Sequence, residues 1–143
     1  MKGRTPTAEQ KRFHDLLCRE IGCIACRADG RFNAWVSVHH FDGRTKPWAH
    51  WLVLPLCGSH HQDDGSGVIA VHPWKARFEA KYGKQPVLLR DCITVLLEKG
   101  FAVPDGALRA AGFEVPAAFA SGKQMAASTV REHLGGHANN WSQ

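Results

Sequence analysis

Apolar residues recur near helical spacing at the start of the chain, where Phe13, Leu16, Leu17 and Ile21 fall within "TPTAEQKRFHDLLCREIG". Thr7 followed by Gln10 supplies a capping box and Gly22 a stop, so the pattern predicts a helix over residues 8–21. The grammar then changes. "CIACRADGRFN" is dense in turn residues and reads as a tight knuckle, while "AWVSVHH" alternates and carries β-branched valines, the mark of a strand. A loop, "FDGRTKPWAHW", leads to a second short strand, "LVLPL", after which "CGSHHQ" begins a helix that "DDGSG" interrupts. "PWKARFEAKYG" opens with proline in a tolerated first turn and ends at Gly83, and "PVLLRDCITVLLEKG" repeats that form with a mostly apolar body. Phe78 and Tyr82, at a spacing of four, read as packing, as do Leu88, Leu89, Ile93, Leu96 and Leu97. Beyond Phe101 alanine and glycine dominate without a repeat or motif. The expected organisation is one domain over residues 1–100 and a tail over 101–143 of short helices or partly disordered chain.

Composition adds bounds. A chain of 143 residues, 44% hydrophobic and 22% charged, suits one soluble domain, and no apolar run approaches the ~18 residues of a membrane span. "MKGRTPTAEQKRF" holds no apolar segment of the secretory kind, so the cytoplasm is the expected compartment and a monomer the expected state. Charge is unevenly spread: residues 1–84 hold 13 Lys/Arg against 8 Asp/Glu, whereas residues 85–143 hold 5 of each. The basic excess therefore lies where the histidines concentrate, and it fits a polyanionic partner, nucleic acid above all.

Five cysteines, an odd number, in a reducing compartment argue against a disulfide framework. Cys23 and Cys26 stand at the spacing that lets two thiolates grip one tetrahedral zinc ion, and Cys57 with His60 repeats it 31 residues after Cys26. A redox pair would need neither Cys57 nor His60, and no βαβ pattern surrounds the cysteines. Structural zinc is the expectation. Cys18 and Cys92 sit among apolar residues and read as core thiols. His61 points ~100° away from His60 on a helix, so it is free to serve a second ion. Its partners are open at this level: His39 and His40 end the first strand, and His72 precedes a helix.

In order and approximate distance, "CIAC", "VHHFDGRT", "LPLCGSHH" and "GVIAVHPWKARFEAKYG" resemble the HNH nucleases of the β-β-α-metal fold, and more narrowly the Ref family of phages and prophages, the RecA-dependent nucleases. The resemblance covers roughly residues 5–98. It implies a small α+β fold, a zinc-stabilised β-β-α-metal core with flanking helices. It also implies that Cys23, Cys26, Cys57 and His60 bind the structural zinc, that His39, His61 and His72 hold a catalytic metal, and that His40 is the general base. "DDGSGVIAV" then accounts for the long spacing between His61 and His72. The sequence departs from the HNH pattern at the middle asparagine, where "HWLV" stands, and His50 is the candidate substitute.

Such a metal would act as a Lewis acid on a DNA phosphodiester, with His40 taking the proton of the attacking water. Imidazole ligation favours zinc, nickel or manganese, with magnesium a further candidate where substrate phosphate is the main ligand. Arg44, Lys46, Lys75 and Arg77 flank these segments and are the candidate DNA contacts. Trp35 and Trp74 are expected in the core, and Trp48 and Trp51 either stack on bases or close the site. The resemblance further implies cutting directed by a RecA filament in recombination, inside a bacterial host if the chain is phage-encoded. Two other classes compete: a noncatalytic zinc module that binds nucleic acid, which leaves His39, His40, His61 and His72 without a purpose, and a metal hydrolase of small substrates, which gains nothing from the basic excess.

Overall fold

In the computed structural model, which describes residues 3–115, the Thr7 hydroxyl accepts the Gln10 amide at 3.1 Å while the Gln10 side chain accepts the Thr7 amide at 2.8 Å. This reciprocal cap starts α1 (Ala8–Leu16), which widens into a π turn over Leu17–Ile21 before Gly22 ends it at φ 67°. A side chain at Gly22 would meet the Asn33 carbonyl at 2.6 Å, so both the turn and the close approach require glycine. The predicted helix over 8–21 is thus one continuous rod whose last turn is wider than α.

The knuckle is partly helical, which its turn residues concealed: Cys23 caps α2 (Ile24–Ala28), its sulfur accepting the Cys26 amide at 3.4 Å. β1 (Val36–His40) and β2 (Val53–Cys57) form a two-stranded antiparallel sheet, with Val36 opposite Cys57 and His40 opposite Val53. All five β2 residues are buried, which explains an apolar run in place of alternation. α3 (Gly58–His61) follows without a break, giving the β-β-α core. The 63–67 loop is self-capped, Asp63 and Asp64 each accepting a backbone amide two residues on at 3.0 Å, and leads to α4 (Val71–Tyr82). α4 bends near its start, where His72 and Trp74 leave helical geometry around a cis His72–Pro73 bond.

α5 (Gln85–Glu98) lays Leu88, Leu89, Cys92, Ile93 and Leu96 against Leu17, Ile21, Leu54 and Leu56, all buried. The chain beyond residue 100 continues this core: α6 (Asp105–Ala110) buries Ala107 and Leu108, with Val103 and Phe113 on either side. The rest of the expected tail, 116–143, lies outside the described residues. Two tryptophans overturn the expectation of burial. Trp35 is 89% exposed and Trp74 42%. Trp35 precedes β1 at its outer end, where no element of the described residues covers it, and Trp74 lies at the bend of α4 with its indole donating to Asp63 at 3.1 Å. Cys18 is half-buried rather than core, while Cys92 is fully enclosed.

Candidate functional site

Cys23 and Cys26 bracket the first turn of α2, Cys57 ends β2, and His60 sits in α3; all four are buried. Nδ1 of His60 lies 3.5, 3.5 and 3.2 Å from the sulfurs of Cys23, Cys26 and Cys57, and the last two sulfurs are 3.8 Å apart. One imidazole nitrogen cannot hydrogen-bond three sulfurs at once. Bonds of about 2.3 Å to sulfur and about 2.0–2.1 Å to nitrogen at tetrahedral angles, in contrast, put sulfurs about 3.8 Å apart and a sulfur about 3.5–3.6 Å from the nitrogen. The donor set therefore suits zinc in type and approximate size. Burial pushes the Cys23 thiol up to about 12, so without a cation this cluster is costly to ionise. At Cys26 burial also raises the thiol, but hydrogen bonds from Arg31, Cys23, Cys57 and Asn33 together outweigh it and bring it down.

Outside the four ligands lies a supporting layer. Nε2 of His60 donates to the Tyr82 hydroxyl at 3.0 Å, and that hydroxyl donates to Asp29 at 2.8 Å. This chain fixes the imidazole with Nδ1 toward the sulfurs. Arg31 and Asn33 donate to the Cys26 sulfur at 3.6 and 3.8 Å.

A second set meets beside it. His39 from β1, His61 from α3 and His72 from α4 each place one nitrogen within 4.8 Å of the others, their ring centroids 5.0–5.5 Å apart. His39 is buried and its Nε2 donates to the Gln85 carbonyl oxygen at 2.7 Å, which leaves Nδ1 toward the other two rings. The Gln85 amide in turn donates to Glu79 at 3.2 Å. Nδ1 of His61 pairs with the Ser37 hydroxyl at 3.3 Å, leaving Nε2. The Asp63 amide donates to the His72 carbonyl at 2.9 Å, tying the start of α4 to the end of α3. Burial, ahead of repulsion from His61 and His72, holds His39 down at about 4, and burial also lowers His61. His39 is therefore neutral at pH 7, as a metal ligand must be.

His40 turns the other way, as strand alternation requires. Its Nε2 lies 2.8 Å from Nδ1 of His50, whose Nε2 lies 2.6 Å from the Arg4 carbonyl. A carbonyl only accepts, so the His50 proton is on Nε2, His40 donates from Nε2, and the His40 lone pair is on Nδ1. That Nδ1 is buried with no hydrogen-bond partner among the described residues. His14 donates from Nε2 to the His50 carbonyl at 2.7 Å. One nitrogen of each of these three histidines also falls within 4.8 Å of the others, but their hydrogen bonds already occupy the facing atoms, and we read them as a hydrogen-bond chain rather than a metal set.

Residues 6–97 match the family described as recombination enhancement, RecA-dependent nuclease. The chain belongs to this family. A nuclease role linked to recombination follows from membership, and the matched span holds every histidine and cysteine of the clusters above.

Of the four cationic side chains expected to meet DNA in this RecA-dependent nuclease family member, Arg44 and Lys75 are exposed, Lys46 is paired with Asp42 at 3.2 Å and lies over Trp48, and Arg77 covers the Trp74 ring at 5.5 Å. Trp51 packs on Phe13 at 5.7 Å, a core contact. A cavity of about 710 Å³ between α1 and residues 101–109 holds no member of the histidine clusters. Enzymes that cut polymers do not need enclosure, and the His39–His61–His72 set runs from buried His39 to exposed His72. Sequence reasoning missed Gln85, Glu79, Asp29 and His14, for which spacing carries no signal. It also read Tyr82 as packing, although its being the single tyrosine was a weak hint.

Proposed function

We propose that this chain is an HNH-type, metal-dependent endonuclease that hydrolyses DNA phosphodiester bonds. The observation that carries the reading is the convergence of His39, His61 and His72 from three elements onto one point, next to a set fit for structural zinc. A divalent ion there would supply Lewis acidity toward the phosphoryl oxygens and the leaving oxygen. His40 holds its lone pair on the buried Nδ1, and burial, then Arg44 and neighbouring histidines, hold it down at about 4, so it is neutral at pH 7 and accepts the proton once bound ion and DNA bring a water to that atom. His50 orients His40 in the role that an asparagine fills in the HNH pattern. Arg44, Lys46, Lys75 and Arg77 bind phosphates beside the cut. DNA presented by a RecA filament is the substrate that family membership favours.

The reading is tested by cleavage of supercoiled and single-stranded DNA with magnesium, manganese or zinc, with and without RecA filaments, comparing wild type with His40→Ala. Cutting that needs His40 supports it, and dependence on filaments assigns the substrate. DNA binding without cutting under every condition, with both metals bound, would instead support a noncatalytic zinc module.

A further inference from the structure

The loop joining α2 to β1 carries two aromatic rings outward, Trp35 at 89% exposure and Phe32 at 61%. Two such rings exposed within four residues of one loop offer a partner an aromatic surface. The backbone beneath them is pinned. The Cys23 amide donates to the Asn33 carbonyl at 2.8 Å, the Arg31 amide to the Cys26 carbonyl at 2.9 Å, and the Trp35 amide to the Asn33 side chain at 2.9 Å. The knuckle thus holds the loop backbone in place, so stacking orders two side chains and not the loop that carries them.

The surroundings indicate what that is. Arg31, exposed although its guanidinium also donates to the Cys26 sulfur at 3.6 Å and lies 4.0 Å from Asp29, adjoins Phe32, and the rest of the loop is small or polar. The other large apolar side chains exposed among the described residues, Trp48, Trp74 and Val87, lie elsewhere on the chain. Aromatic rings with a cation and no aliphatic rim suit the faces of unpaired bases, which a duplex keeps covered. Position agrees: β1 starts directly after Trp35 and reaches His39 four residues on, ~13 Å at the ~3.3 Å rise of a strand. Ser37, between them, touches His61.

We infer that Phe32 and Trp35 form a stacking platform for unpaired bases of a DNA strand whose backbone runs into the His39–His61–His72 site. The inference rests on the nuclease reading of that site. Its test is fluorescence anisotropy of a labelled oligothymidylate and of a matched duplex, with zinc-loaded protein and no added divalent metal, so that binding is read apart from cutting. Trp35→Ala is expected to weaken single-strand binding roughly 5- to 150-fold, as loss of a stacked base implies, while Trp35→Phe retains most of it and duplex binding is unchanged. Equal losses on both DNAs, or no loss on either, would overturn the platform. So would intact oligonucleotide binding with lost attachment to RecA filaments, which would make the surface a protein contact. If wild type never cuts but the single-strand preference depends on Trp35, the nuclease reading fails and the platform stands.

Discussion

His40 and His50 are joined ring to ring, Nε2 to Nδ1 at 2.8 Å, and the Arg4 carbonyl at the far end sets the direction of every proton in that chain. The lone pair of His40 is therefore committed to Nδ1 by a backbone carbonyl 36 residues away in sequence.

The first prediction concerns this relay. His50→Ala should lower kcat by roughly 10²-fold, toward the small end of the ~10²–10⁴ that a general base supplies, with KM little changed. His50→Asn should recover part of the loss. Because His50 is buried and bonded at both ring nitrogens, the alanine variant should also lose about 1–3 kcal/mol of stability, which thermal melting would report. A large stability loss with unchanged kcat would remove His50 from the chemistry.

Gln85 makes a second case. Its carbonyl oxygen holds His39 by a 2.7 Å bond, and Glu79 holds its amide. Gln85→Leu should weaken binding of the second divalent ion by about 10–100-fold, with structural zinc retained, in a calorimetric titration. Unchanged affinity would mean that packing alone orients His39.

Removing zinc should cost the fold. On the reading that Cys23, Cys26, Cys57 and His60 hold zinc, an ion worth an apparent ~10–16 kcal/mol in zinc-finger peptides compares with the ~5–15 kcal/mol net stability of a whole domain, so its loss is expected to unfold this one. Cys57→Ser, or a chelator, should abolish cooperative melting in circular dichroism. Cooperative unfolding that survives complete zinc loss would contradict the assignment.

Tyr82→Phe tests the supporting layer more gently. It deletes the hydroxyl between His60 and Asp29 and keeps the ring against Phe78 at 5.0 Å. Zinc affinity measured by competition with a chromogenic chelator should fall about 10-fold while the fold persists. A variant that binds zinc as tightly as wild type would show that the sulfurs and Nδ1 suffice.

Much of this architecture was written in local sequence. The Thr7–Gln10 box, Gly22, the alternating β1, the short apolar run of β2 and the helices ending at Gly83 and Gly100 depend on capping, local hydrophobic pattern and backbone freedom, which act over a few residues. The CxxC and CxxH spacings likewise declared a four-ligand set, because a turn is all that is needed to bring each pair together. What spacing left open, and only the family resemblance assigned, was which histidine joins which. His39 and His40 are equivalent neighbours in the string, and only the sheet sends one to His61 and His72 and the other to His50. Gln85 and Arg4 reach those rings across 46 residues each, and Trp35 is left outside because no element of the described residues packs over it. Such contacts arise from how elements pack, a property of the whole chain that no short window of residues contains.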